Sequence, residues 1–104
     1  MSVQTNFENG ELRFSLGGEL DHHSARDVMR KIADEIDRRL PGKCVLDLAG
    51  VGFTDSSGIA VLLRTHKHMR ELGGSLSVEN VHAQPAKVFR AANVGKMVAF
   101  QEVR

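Results

Sequence analysis

The spacing of apolar and polar residues changes several times along the chain, and each change marks an element. Residues 3–7 and 11–16 flank Asn9-Gly10, a dipeptide suited to the positive φ angles of a tight hairpin turn. In the second run Leu12, Phe14 and Leu16 alternate with Glu11, Arg13 and Ser15, which predicts a strand with one buried face. Gly17-Gly18 is expected to end it. The period then lengthens. Ala25, Val28, Met29, Ile32, Ile36 and Leu40 recur every three or four residues and predict a helix over residues 24–40. Asp27 with Lys31, Asp34 with Arg38, and Glu35 with Arg39 stand four apart, acid first, on its wet side. Pro41-Gly42 stops the helix, and the nearly continuous apolar run 44–48 reads as an interior strand.

Residues 49–54 read as a loop, and Asp55-Ser56-Ser57-Gly58 opens a second helix that reaches Leu72. Val61, Leu62, Thr65, Met69 and Leu72 form its core stripe, with Gly73 suited to a left-handed cap. Leu76 and Val78 alternate with Ser75, Ser77 and Glu79 in the next strand. A short helix over residues 85–92 follows, with Pro85 near its first turn and Asn93 suited to a left-handed end. Residues 96–102 form the last strand. Strand, strand, then helix and strand three times over predicts an α/β fold with right-handed crossovers. Residues 1–104 make a single domain: a mostly parallel four- to five-stranded sheet with an antiparallel N-terminal strand and helices mainly on one face.

Composition narrows the function more than the fold. The 104 residues are 41% hydrophobic and 26% charged with a formal charge of +1, so no basic surplus points to nucleic acid. No polybasic block or long apolar stretch points to membrane insertion. Cys44 stands alone in the apolar run Cys44-Val45-Leu46, where a buried reduced thiol fits a reducing cytoplasm. Residues 1–7 lack the pattern of a signal peptide.

Two segments could carry chemistry. Phe53-Thr54-Asp55-Ser56-Ser57-Gly58-Ile59 lies where a strand hands over to a helix, at the carboxyl end of the sheet where such folds place their sites. Free amides in the helix's first turn favour an anion there, so a hydroxyl is accessible and poised for modification. Helix capping alone would also explain Ser-Ser-Gly. Gly18-Glu19-Leu20-Asp21-His22-His23-Ser24 joins the second strand to the first helix at the same sheet end, where Asp21 or Ser24 could act as a cap. Other chemistries find no support. His22-His23 point apart and His66 and His68 share no helix face, so no metal site is expected. There is no Gly-x-Ser-x-Gly elbow with an assignable base and no Gly-Lys-Ser/Thr phosphate loop, which excludes the common hydrolases and NTPases.

Together these segments resemble the sulphate-transporter and anti-sigma-factor-antagonist domain family, most of all its sporulation anti-anti-sigma branch. Leu72-Gly73-Gly74 and the tail with Lys87-Val88-Phe89, Val94 and Phe100 fit the same family. The resemblance implies a protein–protein switch with no catalysis and no cofactor. In such a switch the unphosphorylated form binds an anti-sigma factor, itself an ATP-dependent serine kinase, and frees a sigma factor for sporulation or a stress response. It further implies phosphorylation of Ser56, reversed by a serine phosphatase, and a partner surface of Asp21, His22, Asp55, Ser56, Ser57, Gly58 and Ile59. Because the family also serves transporters, an accessory subunit of a membrane transport complex is the alternative. Two features depart from the pattern. The sequence stops at Arg104, where many relatives continue into a helix, and Asn93 stands where glycine is common. Asn is the next-best left-handed residue.

Overall fold

Asn9 and Gly10 take φ values of 52° and 79°, and the chain folds back there as the dipeptide predicts. A computed structural model describes residues 1–103. β1 (Ser2–Glu8) and β2 (Glu11–Leu20) pair antiparallel from Ser2 opposite Gly17 to Glu8 opposite Glu11. α1 (His22–Arg39), β3 (Lys43–Thr54), α2 (Ser56–Glu71), β4 (Ser75–Val81), α3 (Ala83–Ala91), a 3-10 turn at Val94–Lys96 and β5 (Ala99–Glu102) follow. The five strands lie in chain order, and β2 to β5 pair parallel. Right-handed crossovers between successive neighbours put α1, α2 and α3 on one face.

The residues facing the helices form one core. Leu12, Phe14 and Leu16 from β2 and Leu46 and Leu48 from β3 meet Val28, Ile32 and Ile36 of α1 and Val61, Leu62 and Met69 of α2. Ala86 and Phe89 bring α3 onto the same cluster. Each fully buried aliphatic or aromatic side chain contributes about 1.5–3 kcal/mol. The other sheet face carries no helix. There Arg13 pairs with Glu79 at 2.9 Å, Asp47 at 3.6 Å and Glu11 at 3.7 Å, and Lys43 lies 3.8 Å from Glu11. Pairs on a half-buried, water-facing surface of this kind contribute about 1 kcal/mol each, so they finish a solvated face and do not hold the fold.

The element order matches the sequence pattern; several boundaries do not. β2 continues through Gly17-Gly18 to Leu20, and β3 runs on to Thr54, taking in the stretch expected as a loop. α1 starts at His22, two residues early, because Asp21 caps it. Leu40 leaves the core stripe: at φ 48° it turns out of the helix and is 66% exposed. Leu72 likewise sits on the C-cap of α2, 43% exposed, while Gly73 takes the left-handed conformation. α3 begins and ends slightly earlier than expected, and Asn93 is left-handed at φ 58°. The last strand starts at Ala99 because Val94–Lys96 coil into the 3-10 turn. On α1 the Glu35–Arg39 pair forms at 3.4 Å, but Arg38 turns to Glu35 instead of Asp34.

Candidate functional site

β2 and β3 end level with each other, Glu19 opposite Phe53 and Leu20 opposite Thr54. Two irregularities bring them there. From Ser15 to Gly17, and again from Gly17 to Glu19, β3 spends three residues against two on β2. Gly50 sits in this stretch because a Cβ there would lie 2.8 Å from the Leu16 carbonyl oxygen. Each strand then passes into a helix through one aspartate.

Asp21 caps α1. Its Oδ1 accepts from the His23 and Ser24 amides at 3.0 and 3.1 Å, and Ser24 Oγ accepts from the Asp21 amide at 3.1 Å. Asp55 does more. Its Oδ1 accepts from the Ser57 amide at 2.7 Å, and its Oδ2 accepts from the His22 amide of α1 at 3.3 Å. One carboxylate therefore satisfies free donors of both helices and fixes their N-termini side by side. The Ser57 amide, foremost, with the Ser57 hydroxyl and the His22 amide, holds the Asp55 carboxyl below the usual carboxylate range.

Behind this pair the first turn of α2 presses on the end of β3. Thr54 is 1% exposed, and its hydroxyl donates to the Leu20 carbonyl at 2.7 Å. Gln84 of α3 clasps the Thr54 backbone: Oε1 accepts from its amide and Nε2 donates to its carbonyl, both at 2.9 Å. Gly58 faces Thr54 so closely that an added Cβ would stand 2.1 Å from the hydroxyl oxygen. Glycine is needed there for space.

The seven residues singled out from the sequence lie at this one end of the sheet. Ser56 and His22 are exposed, Asp21, Asp55, Ser57 and Ile59 are half-buried, and Gly58 is buried. His22 and Asp55 meet directly, whereas the Asp21 carboxylate is engaged within its own helix. Sequence reasoning did not assign roles to Thr54 and Gln84. Gln84 is 30 residues from its partner and carries no local signal. Phe53, 42% exposed beside the site, was legible only as part of the motif. Two other histidines are engaged away from the site: His68 Nε2 is 2.7 Å from Asp37 Oδ1, and His82 Nε2 is 2.7 Å from the Ala49 carbonyl. Among the described residues no three His, Cys, Asp or Glu side chains are placed to hold a metal. No helix among them is long and apolar enough to cross a membrane. The arrangement suits recognition: an accessible hydroxyl on a helix N-terminus, framed by a second helix N-terminus.

A family model described as the STAS domain matches residues 2–104. The chain belongs to the STAS domain family. The chain is 34% identical over 82 residues to the anti-sigma F factor antagonist of Paenibacillus polymyxa, which is 79% of this chain and 70% of that protein. It is 30% identical over 80 residues to the anti-sigma F factor antagonist of Lysinibacillus sphaericus, 77% of this chain and 68% of that one. The solved structure of the anti-sigma factor antagonist SpoIIAA in its unphosphorylated form shares the fold. That match has a TM-score of 0.82 at 23% identity, covering 96% of this chain and 88% of the other. As a STAS domain, the chain has the five-stranded mixed sheet and three helices expected from its sequence.

Proposed function

We propose that this STAS domain is an anti-sigma factor antagonist controlled by phosphorylation of Ser56. Unphosphorylated, it docks an anti-sigma factor that is also an ATP-dependent serine kinase, and so frees a sigma factor in the cytoplasm. Asp21, His22, Asp55, Ser56, Ser57 and Ile59 form the docking surface, and buried Gly58 sets its shape. The kinase phosphorylates Ser56 and a serine phosphatase restores it. The observation that carries this reading is the exposed Ser56 on the first turn of α2, directly after an aspartate that also holds the start of α1. The names of the two relatives support the same reading, and favour it over a role as an accessory subunit of a membrane transport complex.

Electrostatics favours a block at the interface over unfolding. A phosphoserine carries about −1.5 to −2 charges at neutral pH. The α2 amides and dipole favour that charge by about 0.3–1 kcal/mol. Asp55 repels it through water, so within the free domain the two effects nearly offset. A docked partner must desolvate the phosphate, and an unpaired buried charge costs several kcal/mol. Since about 1.4 kcal/mol is tenfold in affinity, that cost ends useful binding.

Pull-down from native cytoplasm with wild type and Ser56→Ala side by side tests the proposal. Both are expected to capture the kinase, and only wild type to be released on addition of ATP. Capture of stable membrane transporter subunits by both proteins, without a kinase, would replace it with the transporter reading.

A further inference from the structure

An open groove runs between the outer sides of α1 and α2, beginning at His22 and Ser57 and ending near His68 and Glu71. Small side chains, Ala25, Ala33 and Ala60, leave the space between the helices. Four cations stand along it: Arg26 and Arg30 from α1, Arg64 and Lys67 from α2. All four are exposed, and among the described residues none takes part in an ion pair. Arg64 reaches across only to the sulfur of Met29, at 3.9 Å. Asp27 and Glu71 are the acids on the lining, so four cations face two anions.

The helix-free sheet face has the opposite balance. Glu8, Glu11, Asp47 and Glu79 stand there with Arg13 and Lys43, and both of those cations are paired. In the last turn of α1, Arg38 and Arg39 both reach the one carboxylate of Glu35. Lys31, Arg70, Lys87 and Lys96 also stand without an ion pair elsewhere among the described residues, but this groove brings four unpaired cations together on one surface. That groove opens onto the Ser56 loop, since Ser57 and His22 belong to both.

We propose that the α1–α2 groove is a second docking element that receives an acidic segment of the partner kinase, continuing the contact made at Ser56. This rests on the reading of the chain as an antagonist. The two surfaces are continuous, and the charge is complementary to a partner of opposite sign. From Ser57 to Glu71 the groove follows α2 for about 21 Å at 1.5 Å per residue, room for about four turns of an acidic helix. Each exposed pair is weak alone. Together such pairs steer encounter and make affinity fall with salt.

Titration calorimetry of the purified kinase against the full chain, at low and high salt, tests the groove with the double variant Arg30→Glu/Arg64→Glu. The variant is expected to stay folded by circular dichroism, to bind roughly tenfold or more weakly at low salt, and to lose most of the salt dependence. If it binds as wild type while phosphorylation of Ser56 still abolishes binding, the groove proposal fails and the antagonist reading stands. If the kinase binds neither protein, the antagonist reading fails, and a synthetic polyglutamate peptide followed by amide NMR decides the groove. Shifts along Arg26–Arg30 and Arg64–Lys67 that vanish in the double variant support it. No shifts, binding of phosphatidylserine vesicles but not the peptide, or the same shifts with protein concentration alone would overturn it.

Discussion

Replacing Gly58 by alanine tests whether the first turn of α2 is truly pressed on the end of β3. The added Cβ would lie 2.1 Å from Thr54 Oγ1, 3.1 Å from its Cβ and 3.3 Å from its Cγ2. Thr54 has little room to yield, being buried with its hydroxyl committed to the Leu20 carbonyl. Two effects of opposite sign compete. Within a helix alanine is favoured over glycine by about 1 kcal/mol. Against that, overpacking costs about 1–3 kcal/mol, and turning the hydroxyl away forfeits about 1 kcal/mol more. The clash wins, leaving a net loss of about 1–3 kcal/mol, or about 4–8 °C in Tm for each kcal/mol in a domain of this size. Urea melts of Gly58→Ala, Thr54→Ala and the double variant measure it. In the Thr54→Ala background the hydroxyl and methyl are gone, so the added Cβ should cost little, with a coupling of about 1–3 kcal/mol. A stabilising Gly58→Ala, or the same cost in both backgrounds, would refute the packing described.

Three further outcomes are expected. Asp21→Ala should stay folded with a loss of about 0.5–2 kcal/mol from its cap, and titration calorimetry should show weaker kinase binding; unchanged affinity would leave Asp21 as a cap alone. The Asp55 carboxyl is held below its ordinary range, so the folded state binds fewer protons there than the unfolded state. Its stabilisation is therefore present above the unfolded value of about 3.9 and lost as pH falls through the folded value. Acid melts of wild type should show this loss and those of Asp55→Asn should not; parallel curves would count against the bridge between the helices. Burial pushes the Cys44 thiol up to about 12, so at pH near 8 a disulfide reagent should label it only as fast as the protein unfolds, and prompt labelling would mean an open core.

What could be read from the sequence was local. Asn9-Gly10 carries its turn in two residues, and the alternation of Leu12, Phe14 and Leu16 carries its buried face. The ends of the elements depend on partners far along the chain. Residues 49–54 look like a loop because Gly50 and Gly52 interrupt the apolar run, yet the irregular pairing with β2 keeps them in the sheet. Leu40 and Leu72 fit a helical stripe but fall where each helix is already turning away from the core. The site divides the same way. Ser56 and its capping aspartate stand adjacent in the motif, whereas the reach of Asp55 to the His22 amide spans 33 residues and exists only once β2 and β3 end level.

Phosphate on Ser56 is expected to act at the docking surface and to leave the fold alone. The most direct measurement is to incubate the protein with its kinase and ATP, map the phosphate by tryptic mass spectrometry, and compare amide NMR spectra and Tm of the two forms. One phosphate is expected, on Ser56, with shifts confined to the segments around Asp21 and Ser56, nearly unchanged melting and lost kinase affinity. Phosphate on Ser57 alone, or shifts spread through α1 and β5, would contradict this expectation.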